Sequence, residues 1–177
     1  MQIILLPLTG LTQGAQPIIS YNFGANQLDR VKKTFKLLLI CCLTYTVSMW
    51  AAIMITPETF VRIFNNKPEL MEITSWSMRI YFAGILVFGA QIACQQTFLA
   101  LGQAKISTVL ALLRKIVLLV PLIFILPLFL QDGLQAVLLA EPIADIVATA
   151  VTVSTFIIFY KKKLGGSSQK MNNESIA

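Results

Sequence analysis

The apolar residues of this chain come in long, nearly unbroken blocks, for example across 37–55 and 116–130. Crossing ~30 Å of hydrocarbon takes roughly 20 mostly apolar residues in a helix, and several blocks reach that length. They show neither the strict alternation of a half-buried strand nor the polar face of a soluble amphipathic helix. Covering such blocks with water-compatible surface needs charge. Only 12% of the residues are charged and 56% are hydrophobic, against roughly 25% charged in a soluble domain. The expected fold class is therefore all-α integral membrane, a bundle of about five transmembrane helices.

The spans are expected at about 3–23, 37–55, 77–101, 106–130 and 134–160. The first is the least hydrophobic, with Pro7, Gly10, Gln13, Gly14, Gln16 and Pro17 inside it. Gly24, Asn26 and Asp29 favour a turn after it, followed by a basic loop of Arg30, Lys32, Lys33 and Lys36. Thr56-Pro57-Glu58 reads as an N-cap, a proline at the first helical position and an early acid. Phe60, Ile63 and Phe64 then form a short apolar face suited to the membrane surface, and Pro68 and Glu69 open the segment leading into span three. Gly102 and Lys105 mark the end of span three. Arg114 and Lys115 interrupt span four, and the expectation is that both snorkel to headgroup level. Gln131-Asp132-Gly133 reads as a tight turn before span five.

The net charge is +6, but its placement argues against nucleic acid. Arg30, Lys32, Lys33, Lys36, Lys105, Lys161, Lys162 and Lys163 all fall on one side of the alternating spans, and no aromatic-basic surface for single strands is visible. That side is cytoplasmic by the positive-inside rule, with the C-terminus inside. Residues 1–163 form the transmembrane unit, and 164–177 read as a disordered cytoplasmic tail. Met1 opens directly into apolar sequence with no basic flank, which fits no signal peptide and reads as a helix entered part-way. An odd number of spans fits poorly with transporters built from paired repeats, so the expectation is a portion of a longer protein.

Histidine is absent, and Cys41, Cys42 and Cys94 lie inside apolar blocks. The usual general base, metal spacings and a disulfide framework are therefore not in view. With no nucleophile elbow or phosphate-binding glycine loop either, the expectation is a non-enzyme without cofactors.

Three polar groupings within the spans are candidate functional residues. In span one, Thr9, Gln13, Gln16 and Ser20 share one helical stripe, and amides facing lipid would go unpaired. Tyr21 and Asn22 join this candidate cavity lining. On a second stripe Gly10, Gly14, Pro17 and Gly24 are candidate packing positions, with Gly10 and Gly14 a GxxxG pair and Pro17 able to bend the helix. In span three, Gln91, Gln95 and Gln96 are unusually many amides for one apolar block and read as a polar cavity. In span five, Glu141 and Asp145 are one turn apart, with Ala148 and Thr152 continuing their face. Ionisable groups at membrane depth are costly and usually functional. The pair is the candidate proton or cation site, with a structural carboxyl paired to a basic residue as the plainer reading. Pro142 between them frees a backbone carbonyl.

The segment Gly10-Leu-Thr-Gln-Gly-Ala-Gln-Pro-Ile-Ile-Ser-Tyr-Asn-Phe-Gly-Ala25 closely resembles a signature of the multidrug and toxic compound extrusion (MATE) family. There it lies on the eighth of twelve helices, before a basic cytoplasmic loop. Phe98-Leu-Ala-Leu-Gly-Gln103 resembles the end of the tenth helix and Glu141-Pro-Ile-Ala-Asp145 a motif of the twelfth. The chain is most similar to the bacterial MepA-type branch. The resemblance covers nearly everything up to Lys163 and implies the C-terminal lobe, helices eight to twelve, of a two-lobed exporter. Such proteins sit in the bacterial plasma membrane and expel organic cations and aromatic drugs in exchange for protons or sodium. The partners implied are these small molecules, the lipid bilayer and the N-terminal lobe, without which the chain is expected to be inactive. In some members an acidic residue on the tenth helix contributes to cation binding. Span three has glutamines and no acid, so that site does not carry over. A lipid or oligosaccharide flippase should show more basic residues at depth than Arg114 and Lys115. A non-transporting assembly partner would explain the short chain in another way.

Overall fold

The computed structural model describes residues 2–62, 68–130 and 133–165. Among them every regular element is helical. In chain order these are α1 (Gln2–Gly24), α2 (Leu28–Ile55), α3 (Pro57–Arg62), α4 (Pro68–Tyr81), α5 (Ile85–Ala100), α6 (Ala104–Leu112), a π-helical segment (Leu113–Leu119), α7 (Val120–Phe129) and α8 (Gly133–Tyr160). A second π-helical turn, Lys161–Gly165, closes the described chain.

The helix ends follow local chemistry. After α1, Asn26 takes a left-handed conformation with φ 56, which Asn tolerates better than most residues. The Gln27 amide then donates to the Asn22 carbonyl at 2.8 Å and the Asn26 amide to Phe23 at 3.1 Å. After α5, Gly102 at φ 73 lets Gln103 donate to Phe98 at 2.8 Å and Gly102 to Leu99 at 3.0 Å. Both are Schellman ends that satisfy carbonyls left over by the last turn. Pro57 does open α3, but Thr56 is no side-chain N-cap. Its hydroxyl donates back to the Ala52 carbonyl at 3.0 Å, finishing α2 instead.

The basic stretch after α1 is helical, not a loop. Helix α2 begins at Leu28 because Val31, Phe35 and Leu38 recur at helical spacing and pack inward, Val31 completely. The third expected span is also broken. Between α4 and α5 the backbone turns at residues 82–84, and the two helices meet at 46°.

Helix α5 is the centre of the bundle, packed on α1, α2 and α8, while α8 also packs on α4, the first π segment and α7. Small residues permit this: Gly89, Ala93, Cys94 and Ala100 are buried along α5. One cluster joins Leu8 and Ile19 of α1 to Val31, Leu38 and Cys42 of α2 and Ala93 of α5. A second gathers Phe98, Leu110 and Phe156 near the basic end. A third places Ile53 against Phe82 and Ile85 at the opposite end, with Phe60 against it.

Leu28–Ile55, Ala104–Phe129 and Gly133–Lys163 are long and apolar enough to cross a membrane, and the bent pair Met71–Tyr81 with Ile85–Ala100 makes a fourth if counted as one span. Helix α1 has the length but carries the amides and prolines already noted. Ile63, Phe64, the Gln131-Asp132 part of the expected turn and the tail from 166 lie outside the described residues.

Candidate functional site

The polar residues of the spans fall into two regions. On α1, the buried face runs through Leu8, Thr12, Ile19 and Asn22; the polar stripe lies beside it and the glycine–proline stripe opposite it. Gln13 is exposed and Gln16 half-buried. Ser20 donates to the Ala100 carbonyl at 2.8 Å, tying α1 to the end of α5. The Asn22 amide donates to the Ile18 carbonyl at 2.7 Å. Tyr21 is 76% exposed. Pro17 lies within α1, and the helix continues through it to Gly24. Gly10, Gly14 and Gly24 would each accept a Cβ with no atom within 4 Å. No described helix is therefore packed closely onto the GxxxG pair. It lines an open groove of about 390 Å³ between α1 and α2, with Ile18, Thr34, Leu37 and Cys41 among its other walls.

The second region lies between α5 and α8. Gln91 is buried, and its side-chain carbonyl accepts from the Thr149 hydroxyl at 3.2 Å. Gln95 offers its backbone carbonyl to Ser107 at 3.2 Å, while its side-chain nitrogen is buried with no partner among the described residues. Gln96 is half-buried. One turn above Gln91, Phe88 begins a charged cluster. The Arg114 guanidinium carbon sits 4.3 Å from the centre of the Phe88 ring. Its Nε donates to Asp145 Oδ1 at 2.5 Å and its Nη2 to Glu141 Oε1 at 3.4 Å. Lys115 Nζ lies 3.6 Å from the same Glu141 oxygen.

This corrects the expectation that both basic residues reach for the headgroups. Lys115 keeps 58% of its side chain exposed, but that of Arg114 is only 12% exposed and turns inward onto α8. The reason is local. Arg114 stands in the π-helical segment, whose wider turn changes which residues face the neighbouring helix. Across from it, α8 presents two carboxylates on one face. Burying either partner alone would leave an uncompensated charge. The four charges balance: two basic and two acidic.

Two glycines outside the GxxxG pair mark close approaches of this region, Gly84 against α8 beside the cluster and Gly89 against α2. A Cβ on Gly84 would lie 2.9 Å from Pro142 Cα and 3.1 Å from Asp145 Oδ2. A Cβ on Gly89 would lie 2.6 Å from Thr46 Oγ1 and 2.8 Å from the Cys42 carbonyl oxygen. The signal that could have pointed to Arg114 was its position between two apolar runs, with acids at comparable depth on the next helix. Glu141 and Asp145 could hold a cation only in competition with Arg114. Among the described residues no three metal-ligating side chains converge.

The MatE family model matches residues 1–125. The protein described as multidrug export protein MepA of Staphylococcus haemolyticus is 24% identical over 151 residues, which cover 84% of this chain and 33% of that protein. MepA of Staphylococcus aureus strain NCTC 8325 is 26% identical over 148 residues, covering 82% and 32%. The solved structure of the MATE multidrug transporter DinF-BH, in a ligand complex, aligns with a TM-score of 0.83 at 32% identity, over 93% of this chain and 36% of that one. A MATE crystal structure in the bent conformation aligns with a TM-score of 0.86 at 15% identity, over 95% and 37%; that likeness concerns the fold alone. The chain thus spans about a third of the length of the relatives it matches.

Proposed function

The chain belongs to the MatE family, and from that premise we propose that it forms most of one lobe of a multidrug efflux antiporter. The complete transporter exports cationic and aromatic compounds in exchange for protons or sodium ions across a bacterial plasma membrane. One observation carries the reading: more than four-fifths of the chain aligns in sequence with about a third of proteins described as multidrug exporters.

The physical argument concerns what one lobe lacks. Alternating access moves two bundles against each other around a central site, and a single bundle has nothing to move against. Helix α1 is where the second bundle fits best. Its Gln13 amide and the Gly10–Gly14 groove are open in this chain, and amides at membrane depth need protein or a watery cavity beside them. On this reading α1 crosses the bilayer despite its polar residues because the other lobe covers them. Gln13, Gln16, Ser20, Tyr21 and Asn22 then border the drug pathway, while Gln91, Gln95 and Gln96 support it from the lobe's interior. The basic end of the bundle and the C-terminus face the cytoplasm.

The test is ethidium efflux in a bacterial strain stripped of its own pumps. The chain alone is expected to give no efflux. Co-expression with the N-terminal two-thirds of a MepA relative is expected to give measurable, drug-specific efflux, abolished by a protonophore if protons drive it and by sodium removal if sodium does. Efflux from the chain alone, or none from any well-expressed combination, would sink the proposal.

A further inference from the structure

We infer that Phe88, Glu141 and Asp145 form a guanidinium-binding site, filled by the chain's own Arg114, that latches span four to α8 where three neighbouring helices lose their regularity. The irregularities meet at one level. The third span is broken at 82–84 with a 46° bend. The fourth is π-helical over Leu113–Leu119. The fifth carries Pro142. Gly84, at the break, lies directly against Pro142 and Asp145. A helix with a missing or displaced hydrogen bond bends more easily than a regular one, so all three helices can bend at this level. Arg114 bridges it.

The surroundings of Arg114 are those a planar delocalised cation requires. An aromatic face lies on one side, and two carboxylate oxygens meet different nitrogens of the same fork. Lysine could not reproduce this, because its ammonium is a compact charge without a planar fork. Asp145 is 1% exposed, and its second oxygen, Oδ2, has no hydrogen-bond partner among the described residues. Acceptor capacity therefore remains at the site with Arg114 in place. Because the charges balance, an outside cation cannot simply add to the carboxylates. It must displace Arg114, and displacement removes the charged tie between span four and α8 while the apolar packing of α7 and Leu110 on α8 stays. On this account Glu141 and Asp145 are the receiving half of a latch, and Arg114 is a positioning residue acting through them. The inference does not rest on transport, so failure of the efflux test leaves it standing.

Chemical rescue tests it on the full chain purified in detergent. Arg114→Ala should lower the thermal midpoint by roughly 10 °C, the shift expected from stranding buried carboxylates in a chain of this size. Millimolar guanidinium should recover at least half of that loss, tetramethylammonium at equal ionic strength should not, and neither should alter the parent protein. An unaltered midpoint in Arg114→Ala, or equal recovery with both cations, would overturn the proposal. If that variant does not fold, Arg114→Gln is compared with the charge-balanced pair Arg114→Gln/Asp145→Asn. The pair should be the more stable; if it is no better than the single variant, charge compensation is not what Arg114 provides.

Discussion

The α1 face and the α5–α8 seam carry the same residue types to different ends. Each has glycines, glutamines and a proline within an apolar helix, and in sequence the GxxxG of α1 is the more conspicuous packing motif. In the structure the seam is closed. Gly84 leaves no room for a methyl group against Pro142 and Asp145, Gln91 has found Thr149, and Gly89 is held as tightly against α2. The α1 face is open, with free space over Gly10 and Gly14. A glycine in a membrane helix permits close approach, but it does not supply the helix that approaches. What separates the regions is whether another described helix lies within reach of the glycines.

Substitutions can break that comparison. The largest effect is expected at Gly89. Gly89→Ala drives a Cβ against the Cys42 backbone carbonyl and Thr46, and overpacking of this kind costs about 1–3 kcal/mol. It is read as a lower unfolding midpoint in a detergent titration. Gly14→Ala should move the midpoint the other way, by about 0.5–1 kcal/mol, because alanine favours helix over glycine and nothing opposes the methyl group. If Gly14→Ala instead destabilises the purified chain, its face is already covered, for example by a second copy. The same substitution in an assembled two-lobed transporter should reverse sign, which sharpens the contrast further. The smallest effect is expected for Thr149→Val, which removes the hydroxyl bonded to Gln91. Interhelical hydrogen bonds in membranes average about 0.6 kcal/mol, and the same titration should resolve a loss of that order.

The charged cluster shows where sequence reasoning met its limit. Glu141 and Asp145 were legible as a pair, because four residues make one helical turn. Arg114 was legible as an oddity inside an apolar block. That the three form one site was not legible, since 31 residues separate Arg114 from Asp145. Snorkelling is the ordinary resolution for a basic residue near a span end. It was overturned by a π-helical turn that no residue announces and by the carboxylates waiting on α8. The break at 82–84 was hidden too, within an apolar run whose two glycines, Gly84 and Gly89, do not differ by sequence.

Residue order alone established that the chain is helical and bound for a membrane, roughly where the long helices lie, where two of them stop and to which family it belongs. These are properties of composition, of local backbone preference at Asn26 and Gly102, and of short contiguous motifs. Which glycines are packed, which amides are paired and which cation answers the carboxylates of α8 emerged only from the folded arrangement. Those depend on distances between residues far apart in the chain, and helix periodicity specifies the face a side chain occupies without specifying what lies across from it.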